Sequence, residues 1–355
     1  MGMRVHLVDP SGQALGLALG LAEAGHRVDY ARPEHWQHGK PGELALAIEQ
    51  VAAHRCGPPA TFEPLPAADL LVVVDCFADR LADLVAGRLN DPNPPRSPWA
   101  FTFDSRTYPS RLAACLDLAV QAPRVVVVDS SDRATPREVA FEGLPHAVLL
   151  AREVPVGIAS RWRPLPFLYN QALLVLERST ELAAWWSHPE HRRKSHDWAF
   201  YGTVDHRRYG GRRATALAAV REAWPDLSGD IACGMTFHQT LQRMQSSRCV
   251  LDLPGAGRLC FRLHEALAFG IPVFAPRVPG TEDPPEIVLP AGVAAVRVAD
   301  PYAAIAMPWE QVQGVYRAAY ATEVAAACLL GAAAHSRRTF ASALPFASSS
   351  TSLSR

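Results

Sequence analysis

Residues 255–276 read GAGRLCFRLHEALAFGIPVFAP. A glycine-rich turn leads into an apolar run that predicts a helix over 258–269, and a short β-rich segment predicts a strand over 271–275. Arg262 and Glu265 lie three residues apart, so they share one face of a helix that otherwise looks made for burial. A turn, a helix and a strand in this order form one step of an α/β sheet.

The same order recurs along the rest of the chain. MRVHLVDP at the N-terminus predicts a buried strand, the helix that follows ends at Gly25, and RVDYARP predicts the next strand. Several later segments have the apolar, non-alternating pattern of strands covered on both faces. These segments are 68–76, 124–132, 146–153, 197–204, 248–254 and 294–298. The predicted fold class is therefore α/β, with two Rossmann-like domains that face each other across a cleft, where ligands of open α/β sheets bind.

The domain boundary is predicted where the polar run SHPEHRRKSH, residues 187–196, interrupts the strand pattern. We expect this run to be an exposed loop. This boundary predicts an N-terminal domain over 1–186 and a C-terminal domain over 197–340. The serine-rich end, 341–355, is predicted to be a flexible tail.

The bulk composition disfavours several classes of protein. The chain has 355 residues with 35 basic and 35 acidic side chains, so net charge gives no reason to expect bulk binding to nucleic acid or anionic membranes. The seven cysteines form no C-x-x-C pair and indicate neither a disulfide framework nor a zinc site. The longest apolar runs are too short to span a bilayer, and the N-terminus lacks the apolar stretch of a signal peptide. We expect a cytoplasmic protein without an integral membrane segment.

The first predicted helix carries Gly12, Gly16 and Gly20, a spacing that does not match G-x-G-x-x-G. A nicotinamide-dependent dehydrogenase is therefore disfavoured. The spacing of Gly16 and Gly20 predicts instead that this helix lies close to the sheet.

The start of the 258–269 helix has the features of an anion site. Residues 254–257, Pro-Gly-Ala-Gly, are expected to leave backbone N–H groups accessible at a helix N-terminus, which attracts phosphate. Arg258 or Arg262 would add a charge-assisted contact, and Glu265 is suited to accept hydrogen bonds from two sugar hydroxyls. Together they predict a nucleotide-sugar site. In the structural alternative, Arg262 only holds Glu265 and the glycines are ordinary turn residues.

The stretch LDLPGAGRLCFRLHEALAFGIPVF resembles the strand, glycine-rich turn and R-x-x-E-A-L helix of GT-B glycosyltransferases, and of their exostosin-like branch most closely. Upstream, LLAREVP (149–155) is similar to the family's F-K-R-E segment with the aromatic residue and the lysine lost. RPLPF (163–167) resembles its P-L-P-F segment, and WAFYGTVDHRR (198–208) resembles the opening of its second domain. The resemblance covers about residues 124–276.

This resemblance implies a donor site on the C-terminal domain, with no obligatory metal and no cofactor beyond the nucleotide-sugar co-substrate. It implies that Glu265 contacts the ribose and that Gly202 lies near the diphosphate, as do Gly255 and Gly257. Basic residues would neutralise the departing diphosphate, which gains negative charge in the transition state. The candidates are Arg207, Arg208, Arg212, Arg258 and Arg262. No D-x-D pair stands in a convincing loop, in agreement with metal-independent transfer.

An inverting enzyme would also need a general base from the N-terminal domain. The candidates near predicted strand ends are Asp9, Asp104, Asp129 and Asp132, although turns and helix caps use aspartate routinely. The acceptor is expected to be a hydroxyl of a glycan, a metabolite, a protein or a modified nucleic-acid base.

Two other functions remain open from the sequence: a nucleotide-sugar epimerase on the same fold, and a non-catalytic relative that binds nucleotide. Arg152 and Glu153 are equally compatible with an inter-domain ion pair and with a site.

Overall fold

The computed structural model describes residues 2–9, 12–32, 43–60, 68–75, 122, 124–130, 146–157, 161–166, 173–175, 194–204, 211–254, 258–259, 261–277, 286–290 and 292–343. The helices are α1 (Leu15–Glu23), α2 (Glu43–Cys56), α3 (Arg212–Ala223), α4 (Phe237–Gln245), α5 (Phe261–Ala268), α6 (Val293–Val296), α7 (Pro301–Ile305), α8 (Trp309–Tyr320) and α9 (Thr322–Ala343). The strands are β1 (Arg4–Val8), β2 (Arg27–Ala31), β3 (Leu70–Asp75), β4 (Val125–Asp129), β5 (Val148–Ala151), β6 (Arg163–Pro164), β7 (His196–Tyr201), β8 (Gly229–Ala232), β9 (Ser247–Leu251), β10 (Val273–Phe274) and β11 (Arg297–Val298).

The first sheet has the strand order β2-β1-β3-β4-β5-β6, and each neighbouring pair is parallel. Val72 on β3 pairs in register with Val126 on β4, which pairs with Val148 on β5. β4 consists of four valines and an aspartate, and all five residues are buried. Both faces of this strand are thus covered, as its lack of polar alternation predicts.

The second sheet has the order β11-β10-β9-β7-β8 and is also parallel throughout. Strand β7, between β9 and β8, has side chains in two apolar clusters. Trp198 and Phe200 pack with Leu217 of α3, whereas Ala199 and Tyr201 belong to the larger cluster on the opposite face. Helices therefore cover both faces of this sheet.

The last helix, α9, lies against α1 beside the first sheet. A Cβ atom built on Gly20 would lie 2.0 Å from the carbonyl oxygen of Thr322, so only glycine allows the start of α9 this close. The Thr322 hydroxyl also donates to the Glu23 carboxylate at 2.9 Å. The close approach predicted for Gly20 is thus made to α9 rather than to the sheet.

The stretch at 255–276 folds into the predicted helix and strand, but both are shorter than expected. Gly270 follows α5 with φ +69°, and a Cβ there would lie 2.8 Å from the Trp309 carbonyl oxygen. The left-handed backbone ends the helix before the predicted residue 269. The strand expected over 294–298 was wrong for its first residues, because a turn of helix, α6, begins after the left-handed Gly292.

The two parallel sheets confirm the α/β class with two Rossmann-like units. The junction near 187–196 lies largely outside the described residues, and the domain limits stay a prediction. α9, which the predicted division assigns mostly to the second domain, packs on α1. Of the tail predicted over 341–355, residues 341–343 belong to α9 and the remainder lies outside the described part.

Candidate functional site

The strand order of the second sheet creates a crevice between β7 and β9. From β7 the chain moves to β8 on one side, and β9 then lies on the other side of β7. The connection after β7 leads towards one edge of the sheet, and the connection after β9 leads towards the other edge. Open α/β sheets bind ligands at such a switch point, at the carboxyl ends of the strands. Gly202 directly follows β7, and Pro254 lies three residues beyond the end of β9. The topology thus places two of the predicted donor segments on opposite sides of one crevice.

The backbone conformation of Gly202 does not by itself require glycine. Its backbone is outside the left-handed region, and its N–H donates to the Ala232 carbonyl at 3.0 Å. A Cβ at this position would lie 3.4 Å from the Phe200 ring and 3.7 Å from Nη1 of Arg213, which are ordinary contacts. Among the described residues, the surroundings of Gly202 therefore leave room for a Cβ atom, which glycine lacks.

Arg213 joins the two sides of the crevice. Its Nη1 donates to the Thr203 carbonyl at 2.9 Å, and its Nε donates to the Pro254 carbonyl at 3.1 Å. The guanidinium also lies 5.6 Å from the centre of the Phe200 ring, within cation–π range. The sequence analysis overlooked this residue in favour of its half-buried neighbour Arg212. The sequence shows two adjacent arginines at the start of the predicted helix, and their order alone does not indicate which side chain is buried.

Two of the backbone N–H groups that lead into α5 already have an acceptor in the described part of the chain. The N–H groups of Arg258 and Leu259 donate to the two carboxylate oxygens of Glu153 at 2.9 and 2.8 Å. Glu153 is 1% exposed and comes from the end of the first sheet. A carboxylate of the first lobe therefore takes the place at these two amides that was predicted for a phosphate.

Arg152 reaches the same backbone segment. Its Nη2 lies 3.4 Å from both the Glu153 carboxylate and the Leu259 carbonyl. Arg152 and Glu153 are thus an ion pair whose members both contact the second lobe, as in the inter-domain interpretation. Beside them, Val154 and Val156 form backbone hydrogen bonds with 286–288, so the lobes also meet through extended chain.

Arg262 and Glu265 form the ion pair expected on one face of α5. The Nε of Arg262 also donates to the Tyr201 carbonyl at 2.5 Å, one residue before Gly202. Glu265 is 2% exposed, so its carboxylate is buried and held by this arginine. Arg262 therefore holds Glu265, as the structural alternative predicted. The same arginine bonds the last residue of β7, so the carboxylate lies close to the end of that strand.

His264 and Tyr320 lie beneath this face of α5. Their rings are edge-on, with centres 4.4 Å apart, and neither side chain is exposed by more than 2%. Burial lowers the pKa of His264 to about 3, and the nearby Arg152 charge acts in the same direction. Burial raises the pKa of Tyr320. Both side chains are therefore neutral at physiological pH.

The two predicted bases within the described residues, Asp9 and Asp129, lie in the first lobe. Asp9 is fully buried at the end of β1, where it accepts from the N–H groups of Gln13 and Ala14 and from the Tyr30 hydroxyl at 3.2, 2.7 and 2.8 Å. Burial raises the pKa of Tyr30, and the Asp9 charge raises it further. Asp129 ends β4 with 4% exposure. Asp9 thus anchors the start of α1.

Several predicted site residues lie outside the described part of the chain. They are Asp104, Asp132, Arg207, Arg208, Gly255 and Gly257. The predicted donor set is brought together only in part, at Gly202, Arg258, Arg262 and Glu265. Arg212 lies at the start of α3, next to Arg213.

A cavity of about 260 Å³ lies between the lobes, next to Arg152 and Leu259. Pro164 and Leu165 line it from the first sheet, and Val288, Pro290 and Tyr320 from the later part of the chain. Its walls are largely apolar.

Neither a metal cluster nor a membrane helix is found among the described residues. No group of three or more His, Cys, Asp or Glu side chains there could hold a metal ion. None of the helices in that part combines the length and apolar character needed to cross a bilayer. Metal independence and the cytoplasmic location stay predictions.

Two Rossmann-like parallel sheets with a switch-point crevice place the chain in the α/β fold class predicted under the GT-B resemblance. Neither a family model nor a curated protein matches it. Similar solved structures include an α-glucosyltransferase in complex with UDP and a 13-mer DNA with a central A:G mismatch (10% identity, 93% of this chain and 98% of that chain, TM-score 0.45). Others are AviGT4, a glycosyltransferase involved in avilamycin A biosynthesis (14%, 96% and 99%, 0.42), and UDP-GlcNAc 2-epimerase from Methanocaldococcus jannaschii (11%, 93% and 99%, 0.35). At these identities and TM-scores the likeness carries no conclusion about ligand or reaction.

Proposed function

We propose that this chain is a glycosyltransferase of the GT-B type that transfers a sugar from a nucleotide-sugar donor to a hydroxyl acceptor. The observation that carries the proposal is the crevice between β7 and β9. Gly202 stands on one side of it, where a Cβ atom would make only ordinary contacts with the described residues, and Pro254 stands on the other. A diphosphate needs such close approach to backbone and to fixed cations.

In the proposed reaction, positive charge around the crevice stabilises the departing nucleoside diphosphate. Arg212 stands at the start of α3, Arg262 stands in the first turn of α5, and Arg258 shortly precedes that helix. Fixed cations in a partly dry site stabilise the growing negative charge of the leaving group and lower the barrier. We include Arg207, Arg208, Gly255 and Gly257 in the same donor site on the sequence resemblance.

Glu265 is proposed to contact the ribose of the donor. Its pairing with Arg262 fixes the carboxylate near the Tyr201 carbonyl, at the entrance to the loop that carries Gly202. Preorganised carboxylates bind vicinal hydroxyls at low entropic cost, because the side chain is already ordered.

The acceptor is proposed to approach from the first lobe, where Asp129 ends β4 and Asp9 directly follows β1. Asp9 and Asp129, together with Asp104 and Asp132 from the sequence, are the proposed candidates for the base that receives the acceptor proton. We propose that transfer needs no metal. The R-x-x-E-A-L helix supports a place near the exostosin-like branch.

Thermal shift with UDP, GDP, CMP and dTDP tests the donor assignment. A nucleotide at about 100 times its Kd should raise the free energy of unfolding by about 2.7 kcal/mol, which corresponds to a rise in Tm of several degrees. The absence of any shift would contradict the proposal. With the nucleotide-sugar that corresponds to the nucleotide that binds, release of epimerised free sugar and nucleotide without an acceptor would identify an epimerase instead. Binding without turnover on any hydroxyl acceptor would indicate a non-catalytic relative.

Glu265→Gln tests the ribose contact more cleanly than Glu265→Ala, because the amide oxygen of glutamine can still accept from Arg262, whereas alanine offers no acceptor. We expect the affinity for the nucleotide to fall about tenfold or more, since a charge-assisted hydrogen bond contributes about 1.5–3 kcal/mol. Glu310→Gln on the exposed face of α8 is the matched control. Equal affinities of the two variants would refute the role of Glu265.

A further inference from the structure

Arg213 has an environment that the sequence of α3 does not require. It stands in the first turn of α3, where the positive end of the helix dipole disfavours a cation. Nevertheless its side chain turns inward and is 9% exposed. A buried guanidinium is costly unless its N–H groups are satisfied, so the groups that it contacts determine its position.

This guanidinium donates to main-chain carbonyls on the two sides of the crevice. Thr203 follows Gly202 in the loop after β7, and Pro254 precedes the glycine-rich turn after β9. Because both partners are backbone atoms, the planar guanidinium fixes the distance between the two loops irrespective of their side chains. The Phe200 ring under the guanidinium limits its remaining freedom.

We propose that Arg213 is a positioning residue that sets the opening of the crevice between the Gly202 loop and the turn after β9, and thereby its fit to a nucleoside diphosphate. The identity of the ligand in this inference rests on the proposed function. The role of Arg213 in the loop geometry does not depend on it. A lysine cannot replace it fully, because one ammonium lacks the flat fork that donates in two fixed directions.

The test uses Arg213→Ala, Arg213→Lys and the control Arg221→Ala, which removes an exposed arginine from the last turn of the same helix. Titration calorimetry with the nucleoside diphosphate that stabilises the wild type should show an affinity at least about tenfold lower for Arg213→Ala. We expect a smaller loss for Arg213→Lys and none for Arg221→Ala. Millimolar guanidinium should restore part of the affinity in Arg213→Ala and leave Arg213→Lys unchanged, a response that general destabilisation would not produce.

Amide hydrogen exchange gives a second measurement that needs no nucleotide. In Arg213→Ala, the segments around Thr203 and Leu253 should both exchange at least about tenfold faster than in Arg221→Ala. Wild-type protein that binds no nucleoside diphosphate would refute the proposed function, and exchange would then decide the loop role alone. Unchanged exchange of both segments in Arg213→Ala would overturn the inference. If the wild type binds a nucleoside diphosphate, an Arg213→Ala affinity equal to that of the wild type would overturn it as well.

Discussion

The carboxylate of Glu153 accepts the backbone N–H of Leu259 at 2.8 Å, which joins the end of the first sheet to the start of α5 in the second lobe. The other carboxylate oxygen accepts from the preceding N–H, that of Arg258. Both donors are buried or half-buried and belong to the segment that leads into the Arg262–Glu265 helix. The lobes are therefore coupled at the backbone that shapes the proposed donor site.

Replacing Glu153 should destabilise the chain, because its loss leaves two backbone N–H groups without their acceptor. We expect Glu153→Ala to lower the free energy of unfolding by about 2–4 kcal/mol, and Glu153→Gln to lower it less because the amide oxygen still accepts. Urea denaturation measures both. The exposed Glu310→Ala should stay within about 0.5 kcal/mol of wild type. A Glu153→Ala variant as stable as that control would contradict the proposed coupling.

Gly202→Ala should separate stability from ligand binding. A methyl group there meets only ordinary contacts, so the free energy of unfolding should change by less than about 0.5 kcal/mol. If the diphosphate approaches this backbone, the same methyl group should weaken nucleotide binding about tenfold or more, as measured by calorimetry. Gly314→Ala is the matched control, since its Cβ would face open space on α8. Equal nucleotide affinities in the two variants would place the ligand elsewhere.

Gly20→Ala should loosen the contact between α1 and α9. The new methyl group would overlap the Thr322 backbone, and the overpacking should cost about 1–3 kcal/mol or more of unfolding free energy. Gly331→Ala on α9 has no neighbour within 4 Å and should instead stabilise its helix by about 0.5–1 kcal/mol. Thermal denaturation of the two variants compares them. An equal change of Tm in Gly20→Ala and Gly331→Ala would show that the close packing of Gly20 against Thr322 does not contribute to stability.

His264 should make the chain less stable as the pH falls below 6.5. Burial lowers its pKa to about 3 in the folded chain, whereas the imidazole has its ordinary pKa of 6.5 in the unfolded chain. Between these values the unfolded state binds more protons, so this contribution is complete above pH 6.5 and is lost on acidification towards pH 3. The loss approaches about 1.4 kcal/mol per pH unit.

His264→Phe keeps an aromatic ring against Tyr320 and removes the titrating group. The difference in unfolding free energy between wild type and this variant should therefore change with pH between 7 and 5. Urea denaturation across this range measures the difference. A constant offset between the two proteins would show that His264 does not titrate as its burial implies.

Local patterns were sufficient to predict the main elements of both sheets. The valines of β4 and the apolar run of β3 predicted buried strands because uninterrupted β-branched residues suit a sheet covered on both faces. The Arg262–Glu265 pair was likewise readable from its spacing on one helix. Helix ends were less well predicted, because the left-handed Gly270 and Gly292 act through contacts with α8.

By itself, the sequence determined the α/β class, the course of most strands and the side chains available for a donor site, since hydrophobic periodicity is a property of neighbouring residues. Only the tertiary structure decided that Glu153 bonds the amides expected for phosphate, that Arg213 rather than Arg212 spans the crevice, and that α9 returns to α1. These contacts join segments far apart in the chain. Strand order and burial bring them together, and no local pattern records either.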